Sequence, residues 1–277
     1  QINFSFDILT SLSRVLQIGL PGLNFLNSFI LIFGLYFFAK NKKNTLLILL
    51  ISFPILVVIV GMGYTRQASA LGLIFITITY LEKGKIGKSL IFIILAITFH
   101  KTSLIFLLIY LFYLKKINVL LIFISIPILL LVYLLYFETQ ISHIVYNYLG
   151  DGNNFISIGA VPRTFLFLMS AIIFMYRPKN FIENNHHHLK LYSSISLIII
   201  FMFPFVLIFS TALDRILIYF FSIQLLVFSQ LDSFSNSKKI KYIINLLICL
   251  FYFLILVVWL IYGRFSNHWI PYQNYYL

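Results

Sequence analysis

EKGKIGKSLIFIILAITFHKTSLIFLLIYLFYLKK, from Glu82 to Lys116, is the stretch that decides the fold. Two apolar runs, 89–99 and 103–114, flank His100, Lys101, Thr102 and Ser103, and lysines close both ends. Read as one span, the stretch buries a histidine and a lysine at mid-membrane, at a cost of several kcal/mol. It also moves every later basic loop to the opposite side, against the tendency of lysine and arginine to stay in the cytoplasm. Read as a hairpin that turns at His100, it keeps all the lysine clusters on one side. The hairpin is the better reading. Each arm then has 11 or 12 residues, roughly 17 Å of helix against a bilayer core of about 30 Å. His100 is therefore expected below the outer surface, in a cavity open to the outside.

The rest of the chain repeats this pattern. Of its 277 residues 61% are hydrophobic and 10% charged, against about 25% charged in a soluble domain. Mean hydropathy is +1.02. Apolar runs lie near 22–39, 45–60, 67–82, 89–99, 103–114, 117–137, 164–177, 191–209, 213–231 and 241–262. The reading is an all-α, polytopic integral membrane protein with about ten membrane-spanning or membrane-dipping helices. It forms a single membrane domain, 1–277, with an interfacial segment at 1–21, the hairpin at 89–114 and the main outer loop at 138–162. Phe4, Ile8, Leu12, Val15 and Leu16 form one stripe, with Asp7 and Arg14 placed opposite. Ile141, Ile144, Val145, Tyr148 and Leu149 form another. Both stripes predict helices lying flat on the outer leaflet.

Charge fixes the orientation. Basic clusters occur at Lys40, Lys42 and Lys43; at Lys83, Lys85 and Lys88; at Lys115 and Lys116; at Arg177 and Lys179; and at Lys238, Lys239 and Lys241. With these inside, Arg14, Arg66, Arg163, Arg215 and Arg264 all fall outside. The net charge of +13 is thus a topology signal and not a nucleic-acid footprint. A single cysteine, Cys249, excludes an intramolecular disulfide framework and a CxxC metal site. No Gly-rich phosphate loop or carboxylate cluster is present, so no cofactor and no metal is expected.

A few polar residues stand out against this background. Arg66 follows Gly61-Met62-Gly63-Tyr64-Thr65 and opens an apolar run; it is either an interfacial anchor or an anion ligand. Asp214 and Arg215 interrupt FPFVLIFSTALDRILIYFF, where ionisable groups are functional candidates unless they simply pair. His100 is a base, a phosphate ligand or a cap. Tyr219 lies one turn below Arg215. Arg163, Arg264 and His268 border spans, where anchoring is ordinary. Arginines in an outward cavity that dips into lipid describe a site for an anionic amphiphile, with a lipid diphosphate as the obvious occupant.

GYTRQASALGLIFITITYLEKGKIGKSLIFIILAITFHKTSLIFLLIYLF, Gly63 to Phe112, resembles the EpsG-like branch of the Wzy-type polysaccharide polymerases. The shared pattern is an Arg66-Gln67 pair opening a helix, a basic loop, and a short helix ending in Phe99-His100 before a hydroxyl residue. DRILIYF from Asp214 and HWIPYQ from His268 are similar to later family segments. Family members usually extend further at the N-terminus, so this sequence reads as truncated or as a short member. The resemblance implies polymerisation of undecaprenyl-diphosphate-linked oligosaccharide repeat units into O-antigen, capsule or exopolysaccharide. It places that activity at the outer face of the bacterial inner membrane, as an inverting, metal-independent glycosyl transfer. Arg66 and Arg215 are expected to bind the diphosphate. His100 is expected to act as base or as a further diphosphate contact, with Asp214 the rival base. Gln67, Arg163, Tyr219, Arg264 and His268 are secondary candidates. Expected partners are the lipid-linked oligosaccharide, the bilayer and a chain-length regulator protein, without nucleic acid. A flippase of lipid-linked oligosaccharides and an O-antigen-ligase-like glycosyltransferase are the alternatives.

Overall fold

The chain reverses at His100. Helix α5 (Ile86–Phe99) ends there because His100 adopts an extended backbone, φ −151° and ψ 117°. A 3-10 turn, Lys101–Leu104, then leads into α6 (Ile105–Tyr113). The hydroxyl of Tyr113 donates to the carbonyl of Leu81 at 2.8 Å, beside the start of α5. The chain has therefore returned to the end it left. α5 has 14 residues, longer than the expected arm at 89–99, because Ile86, Gly87 and Lys88 also lie within the helix.

This computed structural model describes residues 4–114, 159–182, 185–207, 209–263 and 266. The expected span at 117–137 and the second outer stripe at 141–149 lie outside them, as do Arg264 and His268. The other helices are α1 (Phe4–Val15), α2 (Gly19–Ala39), α3 (Thr45–Ser52), α4 (Thr65–Glu82), α7 (Ala160–Tyr176), α8 (His186–Met202), α9 (Ser210–Leu217), α10 (Phe221–Phe228) and α11 (Lys238–Tyr262). A π-helical segment containing Pro54, Phe53–Gly61, extends α3, and a 3-10 turn, Ile218–Phe220, joins α9 to α10. Among the described residues, four stretches are long and apolar enough to cross a membrane: Gly19–Ala39, His186–Leu207, Ser210–Phe228 and Lys238–Tyr262. Shorter apolar helices complete an all-α membrane protein, with no strand among the described residues.

α4 is the axis of the bundle. Every residue from Gln67 to Thr79 is buried, as are Leu81 and Glu82. A helix buried on all sides cannot present a lipid face, and α4 is accordingly rich in Ala, Ser, Thr and Gly. α2 crosses it at Gly34 and Gly72. A Cβ on Gly34 would stand 2.0 Å from the Gly72 carbonyl oxygen, and one on Gly72 2.3 Å from that of Ile30. Close backbone approach through small residues is how helices pack where lipid removes the hydrophobic drive. α5 covers another side of α4, with Phe92 stacked on Tyr80 at 5.5 Å. α11 fully buries only Ile248 and Tyr252, packs Ile244, Ile255 and Trp259 partly against the core, and leaves much of its remaining apolar surface exposed.

The turns sort into two chemical ends. At one, Lys42 pairs with the buried Glu82, which also accepts from the Tyr192 hydroxyl at 2.6 Å. There too, His187 Nδ1 meets the Tyr113 hydroxyl at 2.6 Å, and Asn44 donates to the Ser229 carbonyl at 2.7 Å. The opposite end holds the start of α4, the hairpin turn and the start of α9. α1 docks here through the Ser5–Thr98 hydroxyl pair at 2.6 Å, with Phe6 and Leu9 against the core. Its stripe of Phe4, Ile8, Leu12 and Val15 remains exposed. Asp7 borders that stripe and is not opposite it; one turn of helix carries it to the stripe's edge, and the face turned to the bundle is that of Phe6, Leu9 and Ser13.

Candidate functional site

The site is assembled at the arginine end from three turns. The first is the start of α4. Tyr64 precedes the helix and no side chain caps it, so the first-turn amides are left without helical acceptors. Such an end carries a partial positive charge. Arg66 in that turn is exposed, its guanidinium 4.8 Å from the centre of the Phe6 ring of α1. Gln67 is buried and donates its amide to the Arg215 carbonyl at 2.7 Å. This bond ties the start of α4 to the end of α9.

The second turn is α9 itself. Arg215 is exposed and sits over the Tyr64 ring at 5.7 Å. Neither Arg66 nor Arg215 has a carboxylate partner among the described residues. Asp214 is differently placed. Arg163, from the first turn of α7, holds both its oxygens in a two-point ion pair, with Nε to Oδ1 at 3.0 Å. The partner of Asp214 is thus a residue 51 positions away and not its neighbour Arg215.

The third turn holds His100. Its carbonyl accepts from the Ser103 amide at 3.1 Å and the Ser103 hydroxyl at 2.8 Å, which fixes the backbone. Its Nδ1 lies 2.9 Å from the Tyr219 hydroxyl and 2.6 Å from Thr102 Oγ1. Tyr219 is completely buried in the turn between α9 and α10, and its neighbour Phe220 packs on Phe106 of α6 at 5.8 Å. His100 lies outside both helices of the hairpin. Burial first, then the positive charges of Arg215 and Arg66, push its pKa down to about 4. The imidazole is therefore neutral near pH 7, and both guanidiniums are close enough to act on it.

Of the residues singled out in the sequence, His100, Arg66, Gln67, Arg215 and Tyr219 come together here. Asp214 and Arg163 form a clasp beside them. Thr102, Tyr64 and Phe6 belong to the same neighbourhood. A hydroxyl two residues after a turn histidine is a readable signal for Thr102; the two rings give none, because their roles depend on helix packing. The arrangement places fixed positive charge beside a neutral imidazole, which suits an anionic group.

No curated protein and no solved structure matches the chain. A family model does, over residues 1–274, and the chain belongs to the EpsG family, a family of polysaccharide polymerase-like membrane proteins.

Proposed function

We propose that the protein is a membrane glycosyltransferase that polymerises undecaprenyl-diphosphate-linked oligosaccharide repeat units into surface polysaccharide. The arginine end faces the outside of the bacterial inner membrane and the lysine end the cytoplasm. One observation carries the reading: two exposed guanidiniums without carboxylate partners among the described residues flank a neutral histidine at one end of an apolar bundle. Arg66 and Arg215 hold the diphosphate, and the prenyl chain runs outward among the helices. In the transfer, the acceptor hydroxyl oxygen bonds to the anomeric carbon of the donor as the carbon–oxygen bond to the diphosphate breaks. The bonding pair leaves with the diphosphate, whose growing charge the guanidiniums stabilise. The hydroxyl proton passes to His100 or Asp214. Single displacement inverts the anomeric centre and needs no metal. A chain-length regulator is the expected protein partner.

Purified protein with an undecaprenyl-diphosphate repeat unit should give a ladder of oligomers. Arg66→Ala, His100→Ala and Arg215→Ala should each abolish long chains in cells while protein level holds. Normal chain length in all three variants would overturn the reading. Repeat units trapped on the cytoplasmic side of a deletion strain would favour a flippase instead.

A further inference from the structure

We propose that Thr102 and Tyr219 hold His100 with Nδ1 as a hydrogen-bond acceptor, so that the neutral ring offers Nε2–H to the donor's diphosphate. The identity of the ligand rests on the polymerase reading; the ring's role comes from the hydrogen-bond network. Three polar atoms meet: Nδ1, the Tyr219 hydroxyl at 2.9 Å and Thr102 Oγ1 at 2.6 Å, with the two hydroxyls 3.4 Å apart. Both hydroxyls carry a hydrogen. Tyr219 is fully buried; Thr102 Oγ1 donates to its hydroxyl, and its one acceptor among the described residues is Nδ1. A buried hydroxyl that donates to nothing is rare and costly. Nδ1 is the one atom of the three that need not donate, and it is where the Tyr219 hydroxyl can place its hydrogen. A neutral imidazole that accepts at Nδ1 carries its proton on Nε2.

The charges around the ring point the same way. Acting as a base, His100 would become a cation facing Arg66 and Arg215, which oppose it. Donating from Nε2–H changes no charge and adds a third contact to the diphosphate. The acceptor's hydroxyl proton then goes to the Asp214 carboxylate, and the pair of electrons from the broken anomeric bond still leaves on the diphosphate. Thr102 and Tyr219 are positioning residues in this scheme and touch no substrate.

The test uses the full chain in lipid nanodiscs, with ladder kinetics on the lipid-linked repeat unit and direct binding of farnesyl diphosphate as a probe. His100→Gln keeps a donor near the Nε2 position and cannot take a proton; it should lose far less kcat/KM and probe affinity than a variant without a donor. His100→Phe should lose about 100-fold in kcat/KM, as for removal of one donor to developing negative charge. Tyr219→Phe preserves the ring volume. It should weaken turnover in the wild-type background and add no loss on top of His100→Gln, because it acts through the imidazole. Thr102→Ser should restore what Thr102→Val removes. A His100→Gln variant as inactive as His100→Phe overturns the assignment in favour of a base. Equal losses from Tyr219→Phe in both backgrounds overturn it in favour of a merely structural tyrosine. A wild type that makes no ladder, yet whose probe affinity survives His100→Gln and falls in His100→Phe, sinks the polymerase reading and supports the role of His100.

Discussion

At His100 the sign of the pH dependence follows from where the proton is missing. The folded pKa of about 4 lies below the ordinary value of 6.5. Between these values the unfolded chain binds a proton that the native state refuses, so stability rises with pH through this window. The contribution is complete above pH 6.5 and is lost as the pH falls toward 4. Melting temperatures in detergent should drop over that range in the wild type and drop less in His100→Gln. Glu82 makes a second residue-scale prediction. Its carboxylate is buried, with Lys42 and Tyr192 as partners. Glu82→Gln leaves the Lys42 ammonium without its charge partner, and removing one member of a buried pair costs about 3–5 kcal/mol. A large loss of folded protein by size-exclusion yield is expected, with partial recovery in Lys42→Met/Glu82→Gln. Arg66, His100 and Arg215, which the structure brings together, stood out as candidates in the sequence because each opens or interrupts an apolar run. The Arg163–Asp214 clasp did not, because sequence spacing says nothing about which helices become neighbours, and an adjacent arginine offered a nearer but wrong partner.

Among the helices, the crossing of α2 and α4 is where substitution has least room. Gly34→Ala or Gly72→Ala drives a methyl into backbone atoms that cannot rotate away. Either should abolish accumulation of folded protein in membranes. Gly87, within α5, meets nothing within 4 Å, so Gly87→Ala should be tolerated and gain about 0.5–1 kcal/mol from helix propensity. Equal behaviour of Gly34→Ala and Gly87→Ala would contradict the packing described. The apolar periodicity located the helices well, since lipid demands long runs. It could not show that α4 is enclosed while α11 is largely exposed among the described residues. The run at 67–82 looks like another span until its Ser, Thr and Gly content is read as the mark of a helix with neighbours on every side.

For the molecule as a whole, the described residues form two ends of the bundle, Lys42 and Glu82 at one and Arg66, Arg163 and Arg215 at the other, each closed by its own contacts. Their assignment to the two faces of the membrane is open to labelling. In a Cys249→Ser background, Gly63→Cys should react in intact spheroplasts with a membrane-impermeant thiol reagent. Ser237→Cys should react only after the membrane is opened. Labelling in the reverse order would invert the proposed topology. One property of α4 bears on how the proposed transfer is driven. Between Arg66 and Glu82 the helix carries no acid, base or amine, only Tyr80 near its far end. α4, which runs from one end to the other, therefore places no titratable relay between them. In the proposed transfer, elongation draws instead on the group-transfer potential stored in the lipid-linked donor, so its extent should follow donor supply and product release.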